Sequence, residues 1–281
     1  MNLGSRIRQA RVSAGLSVQN VSVTVGVSRN AVYKWERGED APRQSILIKL
    51  ARLFGVDMDF FFREVHVEMC ASAYRRKASL AKKVQDCVEA RIASELEKQI
   101  FVDSLFAERK SPKFSVGSYR IESLPDVENA ADQLRTSWGL GFDPIGSVVS
   151  AVEEHGVKVV MIDGVEGFDG FSCVANESIP VIAIPMGVSG DRQRFTLAHE
   201  LGHMVLDTAP EVDEEKAAHR FAGAFLAPQK AVVNELGPRR SRLDIDELAI
   251  LKRSYEISMQ AWARRAFDLG IIQRAAYESL L

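Results

Sequence analysis

Apolar residues recur at intervals of three and four along most of this chain, and the breaks fall where helices are expected to end. The first 56 residues hold four such periods. LGSRIRQARVSAGL repeats them at Leu3, Ile7, Ala10 and Leu16. SVQNVSVTVG opens at Ser17, a good N-cap, and stops at Gly26. SRNAVYKWERGE opens at Ser28 and stops at Gly38, and QSILIKLARLFG follows Pro42. Two helices joined by the tight GVS turn make a helix-turn-helix, whose second helix can lie in the major groove of DNA. From Ala71 to about Lys110 no Gly or Pro interrupts the pattern. Leu80, Val84, Val88, Ile92, Leu96 and Ile100 keep helical spacing there, and SPKFSVG marks the end. Such a helix serves as a strut on the following domain or as a pairing helix between two chains, and the strut is the primary expectation. Beyond residue 119, DVENAADQLRTSWGL and PIGSVVSAVEEHG read as helices and VKVVMID and IPVIAIP as strands, so the back half is α+β with a small sheet.

Composition narrows the class. With 46% apolar and 26% charged residues the chain has the material for packed cores. The longest apolar stretch, IPVIAIPMGV, is too short to span a membrane and is broken by proline. The basic first residues lack a continuous apolar segment, so no signal peptide is expected. Cys70, Cys87 and Cys173 lie far apart with no C-x-x-C pair, which suits a reducing cytoplasm and excludes a cysteine metal site. Basic residues outnumber acidic ones in residues 1–64 and 75–113, and the order reverses in 114–281. A polyanion is therefore expected to meet the front half.

On the second helix of the helix-turn-helix, Ala31, Val32 and Trp35 take inward positions. Ser28, Arg29, Asn30, Tyr33, Lys34 and Arg37 are left for double-stranded DNA: Arg and Asn can bond base edges in pairs, while Ser, Lys and Arg hold phosphates. Residues 3–62 resemble the XRE (Cro/C1-type) helix-turn-helix family almost end to end, with GVS, W-E-R-G and the following proline as the most specific string. One departure is Val18, where that family usually has glutamine; Gln19 stands one place later. The resemblance implies operator binding, as a homodimer on a two-fold-related site.

The stretch FTLAHELGHMVL carries different chemistry. Residues i and i+4 share a helix face, so His199 and His203 can offer two imidazoles to one ion. Glu200, beside the first, can act as general base toward a water at that ion. A catalytic zinc site also needs a third protein ligand, which EVDEEKAAHRFAGAFLAP can supply. Glu215 opens its helix, but Glu211, Asp213 and Glu214 are neighbours that spacing alone does not exclude. Together, RQRFTLAHELGH and the later E-x-x-A-x-x-F-A…L-x-P are similar to the ImmA/IrrE metallopeptidase family. That resemblance implies Zn2+ bound by His199, His203 and Glu215, with Glu200 activating water. His219 stands where the family usually has asparagine. Four residues after Glu215, it faces the same way and could steady an oxyanion or orient a ligand. The tail resembles the end of longer family members, and a subdomain framing the groove is expected there.

The expected fold is therefore helix-rich α+β. Its parts are a helix-turn-helix bundle (1–65), a helical connector (66–113), a zincin-like metallopeptidase domain (114–235) and a C-terminal helical subdomain (236–281). The resemblance implies a cytoplasmic, DNA-binding, tightly regulated endopeptidase that cuts a helix-turn-helix repressor, or itself, to control stress or phage-response genes. The alternative is a regulator or antitoxin-like repressor whose peptidase-like domain senses without turnover.

Overall fold

Helix boundaries follow the caps. The structure, a computed structural model, describes residues 3–63, 67, 69–70, 82–106, 114 and 118–280. They fall into two units, one running from the front of the chain through the long helix, with residues 164–168, and the other from residue 118 onward apart from those five.

In the first unit, α1 (Leu3–Ser13) is followed by α2 (Val18–Val25), whose Ser17 and Asn20 form a reciprocal capping box. Ser28 Oγ accepts from the Ala31 N–H at 3.1 Å to start α3 (Arg29–Arg37), and Gly38, at φ 73°, ends it. Helix α4 (Gln44–Phe54) and a 3-10 turn (Met58–Phe62) complete a core in which Ile7, Val21, Val32 and Leu50 are fully buried. Gly4 lets α1 approach the end of α3, because a Cβ there would lie 2.2 Å from the Trp35 carbonyl oxygen. Arg11 then clamps the two helices, donating from Nε to Glu36 Oε1 at 2.5 Å and from Nη2 to Oε2 at 3.0 Å.

A two-residue strand, β1 (Met69–Cys70), precedes α5 (Lys82–Leu105). Within the first unit, α5 packs against α1. Arg6 donates to both Glu97 oxygens at 2.7 and 2.6 Å, and both side chains are essentially out of solvent. Cys87 Sγ and Arg91 Nε both donate to the Ser13 carbonyl, at 3.3 and 2.9 Å. Helical period gives a face but not its partner; the buried ion pair supplies the partner. Residues 71–81 and 107–110 of that expected helix, including Arg75, Arg76 and Lys77 of its basic cluster, lie outside the described residues.

The second unit comprises β2 (Tyr119–Ile121), α6 (Asp126–Ser137), α7 (Val148–Glu154), β3 (Lys158–Ile162), β4 (Phe171–Ala175), β5 (Ile179–Pro185), α8 (Gly190–Val205), β6 (Leu206–Thr208) and α9 (Glu214–Leu226). Then come α10 (Gln229–Leu236), α11 (Ile245–Tyr255), α12 (Met259–Asp268) and α13 (Arg274–Glu278). β5 runs between β4, to which it is antiparallel, and β3, to which it is parallel. The fold is thus helix-rich α+β, as expected; β4, which lies against α8, was not foreseen.

Polar clamps set the helices around α9. Glu128 of α6 accepts from Arg265 of α12 at 2.7 and 2.8 Å and from Arg220 of α9 at 2.9 Å. Gly223 makes room, since a Cβ there would stand 2.7 Å from Arg265 Cδ. Burial alone would raise the Glu128 carboxyl, but Arg265 and then Arg220 hold it below the ordinary range. Arg135 donates to the carbonyls of Phe225, Asp143 and Gly141 at 2.5, 2.6 and 2.7 Å, closing the C-terminal end of α9. Loss of hydration pushes this guanidinium down to about 10.

Removing one partner of a buried ion pair is costly, so Glu128→Gln is expected to lose about 3 kcal/mol of stability near neutral pH. Because the folded Glu128 pKa is depressed, its contribution is present above the unfolded value of 4.5 and disappears as pH falls through the folded one. Urea titrations at about pH 7 and about pH 3 should therefore show the variant and wild type converging in acid. An equal gap at both pH values would exclude this linkage.

Candidate metal centre and nucleic-acid interface

Helix α8 puts His199 and His203 one turn apart on one face, their Nε2 atoms 3.1 Å from each other. At its end the chain enters β6, which pairs in parallel with β2, Tyr119 opposite Leu206. The Ala209 N–H continues this pairing by donating to the Ile121 carbonyl at 2.9 Å, and the Val212 N–H donates to the Ala209 carbonyl at 2.9 Å as the chain turns. Asp213 caps α9 by accepting from the Lys216 N–H at 3.1 Å, and these hydrogen bonds hold its carboxyl below the usual range. With Asp213 so engaged, Glu215 faces the imidazoles: its Oε2 is 3.3 Å from His199 Nε2 and its Oε1 3.5 Å from His203 Nε2.

These three separations can be compared with a coordination polyhedron. Zinc bonds of about 2.0–2.1 Å in a tetrahedron place neighbouring ligand atoms about 3.3 Å apart. The 3.1 Å between the two Nε2 atoms is close to one such edge, and Glu215 approaches each imidazole with a different oxygen, Oε2 at 3.3 Å from His199 and Oε1 at 3.5 Å from His203. Among the described residues, this is the group of His, Cys, Asp and Glu side chains whose ligand atoms converge so. Two imidazoles and a carboxylate are a donor set suited to a divalent transition metal. The side chains of His199 and His203 are 12% and 21% exposed and that of Glu215 is 61% exposed, so the fourth side opens outward.

It opens into a cleft of about 1050 Å³, lined by Phe195, His199, Glu215 and His219 and walled by Arg264 and Tyr277 from the tail. The tail therefore frames the groove. Its two adjacent arginines diverge: Arg264 reaches the cleft and pairs with Asp268 at 3.0 Å, while Arg265 turns into the core. His219 packs its ring 4.8 Å from that of Phe195 and 6.4 Å from that of His199, with its outer edge exposed. Loss of hydration on the packed side, then the Arg264 charge, hold it below the ordinary histidine value.

Glu200 is buried, 3% exposed, and its Oε2 accepts a hydrogen bond from Ser172 Oγ of β4 at 2.9 Å. Neither Ser172 nor the adjoining Gly170 stood out in the sequence. FSCVA between Gly170 and Asn176 does carry a short apolar, strand-like signal. That β4 lies against α8 is a tertiary fact no local pattern encodes. His155 stacks on Trp138 at 4.2 Å and holds Ala151 O through Nδ1 at 2.7 Å, a structural role; His66 lies outside the described residues.

On α3, Ser28, Arg29, Asn30, Tyr33, Lys34 and Arg37 are all exposed, over the buried Val32 and Trp35. Arg37 is engaged by Glu39 at 2.9 Å, which tempers its charge. Val18 is turned to the core and Gln19 outward. The α3 anchor is the Arg11–Glu36 clamp on α1, which fixes the angle at which those side chains are presented.

Comparison with known proteins separates the two units in the same way. Residues 7–61 match a helix-turn-helix family model, and residues 152–267 match that of the IrrE N-terminal-like domain. An uncharacterized HTH-type transcriptional regulator derived from the SPbeta prophage of Bacillus subtilis strain 168 is 32% identical over 65 residues, 23% of this chain and 60% of that protein. An uncharacterized transcriptional regulator in the ATPase CF(0) region of Rhodospirillum rubrum is 31% identical over 64 residues, 23% of this chain and 59% of that protein. The chain spans under two thirds of the length of these relatives. No helix among the described residues is long and apolar enough to cross a membrane.

Proposed function

From a chain that joins a helix-turn-helix transcriptional-regulator domain to an IrrE N-terminal-like, metallopeptidase-like domain, we propose a DNA-binding, zinc-dependent regulatory endopeptidase. It acts in the cytoplasm, as a homodimer on a two-fold-related operator. The observation that carries the reading is the convergence of His199, His203 and Glu215 beside the buried Glu200, with His199 and Glu215 lining the cleft.

The two histidines and Glu215 would hold zinc and leave one position open. When bound, zinc lowers the pKa of a water and polarises a scissile carbonyl. The chain's own residues do the rest. Glu200 takes the proton of the attacking water and returns it to the leaving amine. His219, on the same side of the cleft as Glu215, donates a hydrogen bond to the oxygen on which charge develops. The substrate is an extended segment of a helix-turn-helix repressor, or of the chain itself, laid along a strand of the small sheet. Cutting it releases stress or phage-response genes, and resting activity is low until a signal moves the connector or clears the groove.

A second reading keeps the DNA-binding half and makes the back half a sensor without turnover. The relatives described as transcriptional regulators favour it. Against it, a sensor that had lost its metal could lose the buried Glu200 without cost, yet the carboxylate is kept beside the ligand pair.

Purified chain is expected to hold about one zinc after dialysis, as read by elemental analysis. His203→Ala should lose it and Glu200→Gln should keep it; a metal content indifferent to His203 removes the centre. For DNA, Arg29→Ala or Asn30→Ala should cost about 1–3 kcal/mol of preference for the operator over random sequence. Lys34→Ala should flatten the dependence on salt by about one unit of slope. Fluorescence anisotropy with DNA from upstream of its own gene would measure both, and uniform binding by all variants would refute sequence reading by α3.

Turnover has its own test. Wild type and Glu200→Gln, each co-expressed with helix-turn-helix repressors under DNA damage, should differ, with fragments arising from wild type alone. Equal fragmentation, or none while the operator stays controlled, favours the sensor.

A further inference from the structure

A general base must be held within hydrogen-bond reach of the proton it takes, and glutamate reaches its site over three rotatable bonds. What holds Glu200 is therefore a separate question from what binds the metal. Two features of the chain entering and forming β4 meet this side chain. Ser172, 5% exposed, donates its hydroxyl proton to Oε2 at 2.9 Å. Two residues earlier, the backbone of Gly170 passes so close that a Cβ would stand 2.8 Å from Oε1 and 3.2 Å from Cγ of Glu200. The same Cβ would stand 2.7 Å from Cγ2 of Thr196, one turn earlier on α8. Only a residue without a side chain lets the strand lie along both groups.

We propose that Ser172 is a positioning residue for Glu200: its hydroxyl fixes Oε2 while the Gly170 backbone walls the other side, so the carboxylate has one orientation beside His199. The proposal rests on the reading of Glu200 as general base. A serine hydroxyl has a single proton to give, and giving it to Oε2 fixes the rotation of the carboxylate about its last bond. The carboxylate is then held without a rotameric search, and preorganisation of this kind is where an enzyme's polar groups do most for rate. The alternative role is simple satisfaction of a buried carboxylate, which would affect folding and leave the split between kcat and KM untouched.

The experiment uses the zinc-loaded full chain and a quenched-fluorescent peptide library, following the member cleaved fastest. Ser172→Ala should lower kcat about 10–100-fold, the size of effect a misplaced group produces, with KM within about twofold and zinc content unchanged. Ser172→Thr, which keeps the hydroxyl, should recover most of the loss. Ser172→Cys, near in size and a weak donor, should fall between wild type and alanine even if the alanine variant folds poorly. Crystal structures of wild type and Ser172→Cys supply a readout that needs no turnover: the Glu200 carboxylate should be single in one and rotated or split in the other. A carboxylate that stays in place, or a threonine variant no better than alanine, overturns the proposal. If wild type cleaves no peptide yet Glu200 still moves in the variant, the endopeptidase reading fails and the positioning role stands.

Discussion

The packing of α9 against α8 sets the geometry of everything near the metal centre. It is made at Gly202, where a Cβ would be 3.0 Å from Phe221 Cδ1 and 3.2 Å from the Ala218 Cα. A backbone atom cannot swing aside, so any side chain here separates the helices. The histidines flank Gly202 in sequence, and Glu215 lies one turn before Ala218 and His219. Bringing Gly202 to Ala218 is what carries Glu215 to within 3.5 Å of both imidazoles. The ligands thus depend on a residue that has no chemistry of its own.

Behind this contact, charged groups do what apolar packing alone does not. A hydrophobic contact tolerates small slides, whereas bidentate ion pairs and guanidinium–carbonyl bonds fix angle and register. Arg265 spans Glu128 and the Ala227 carbonyl, and Arg135 holds the Phe225 carbonyl, so α9 is tied at its far end to α6 and α12. The first unit uses the same device at smaller scale. Arg11–Glu36 fixes α3 on α1, and Arg6–Glu97 fixes α5 on α1. In both units the helix that bears the chemistry is oriented by a polar clamp on its neighbour, and the price is a set of charges that cannot be removed singly.

Much of this was legible in the chain, for physical reasons that differ by element. Ser17, Ser28 and Gly38 announced their helix ends because caps are local interactions between residues a few positions apart. His199 and His203 were legible because helical pitch alone places i and i+4 together. Glu215 was not separable from Glu211, Asp213 and Glu214 by spacing, since its selection depends on where β6 and Asp213 aim α9. The partner of α5 was equally hidden: Glu97 looks like one more surface carboxylate until Arg6, 91 residues away in sequence, is brought against it. Arg264 and Arg265 read as a basic pair, yet one faces the cleft and the other the core. Ser172 required knowing which strand lies against α8.

X-ray absorption at the zinc edge of the zinc-loaded full chain tests the central claim most directly, because it reports ligand identity without needing a substrate. The account predicts only nitrogen and oxygen neighbours at about 2.0–2.1 Å, four in number, with the outer-shell pattern of two imidazoles. Sulfur scattering at about 2.3 Å, or a shell with fewer than two imidazoles, would contradict it.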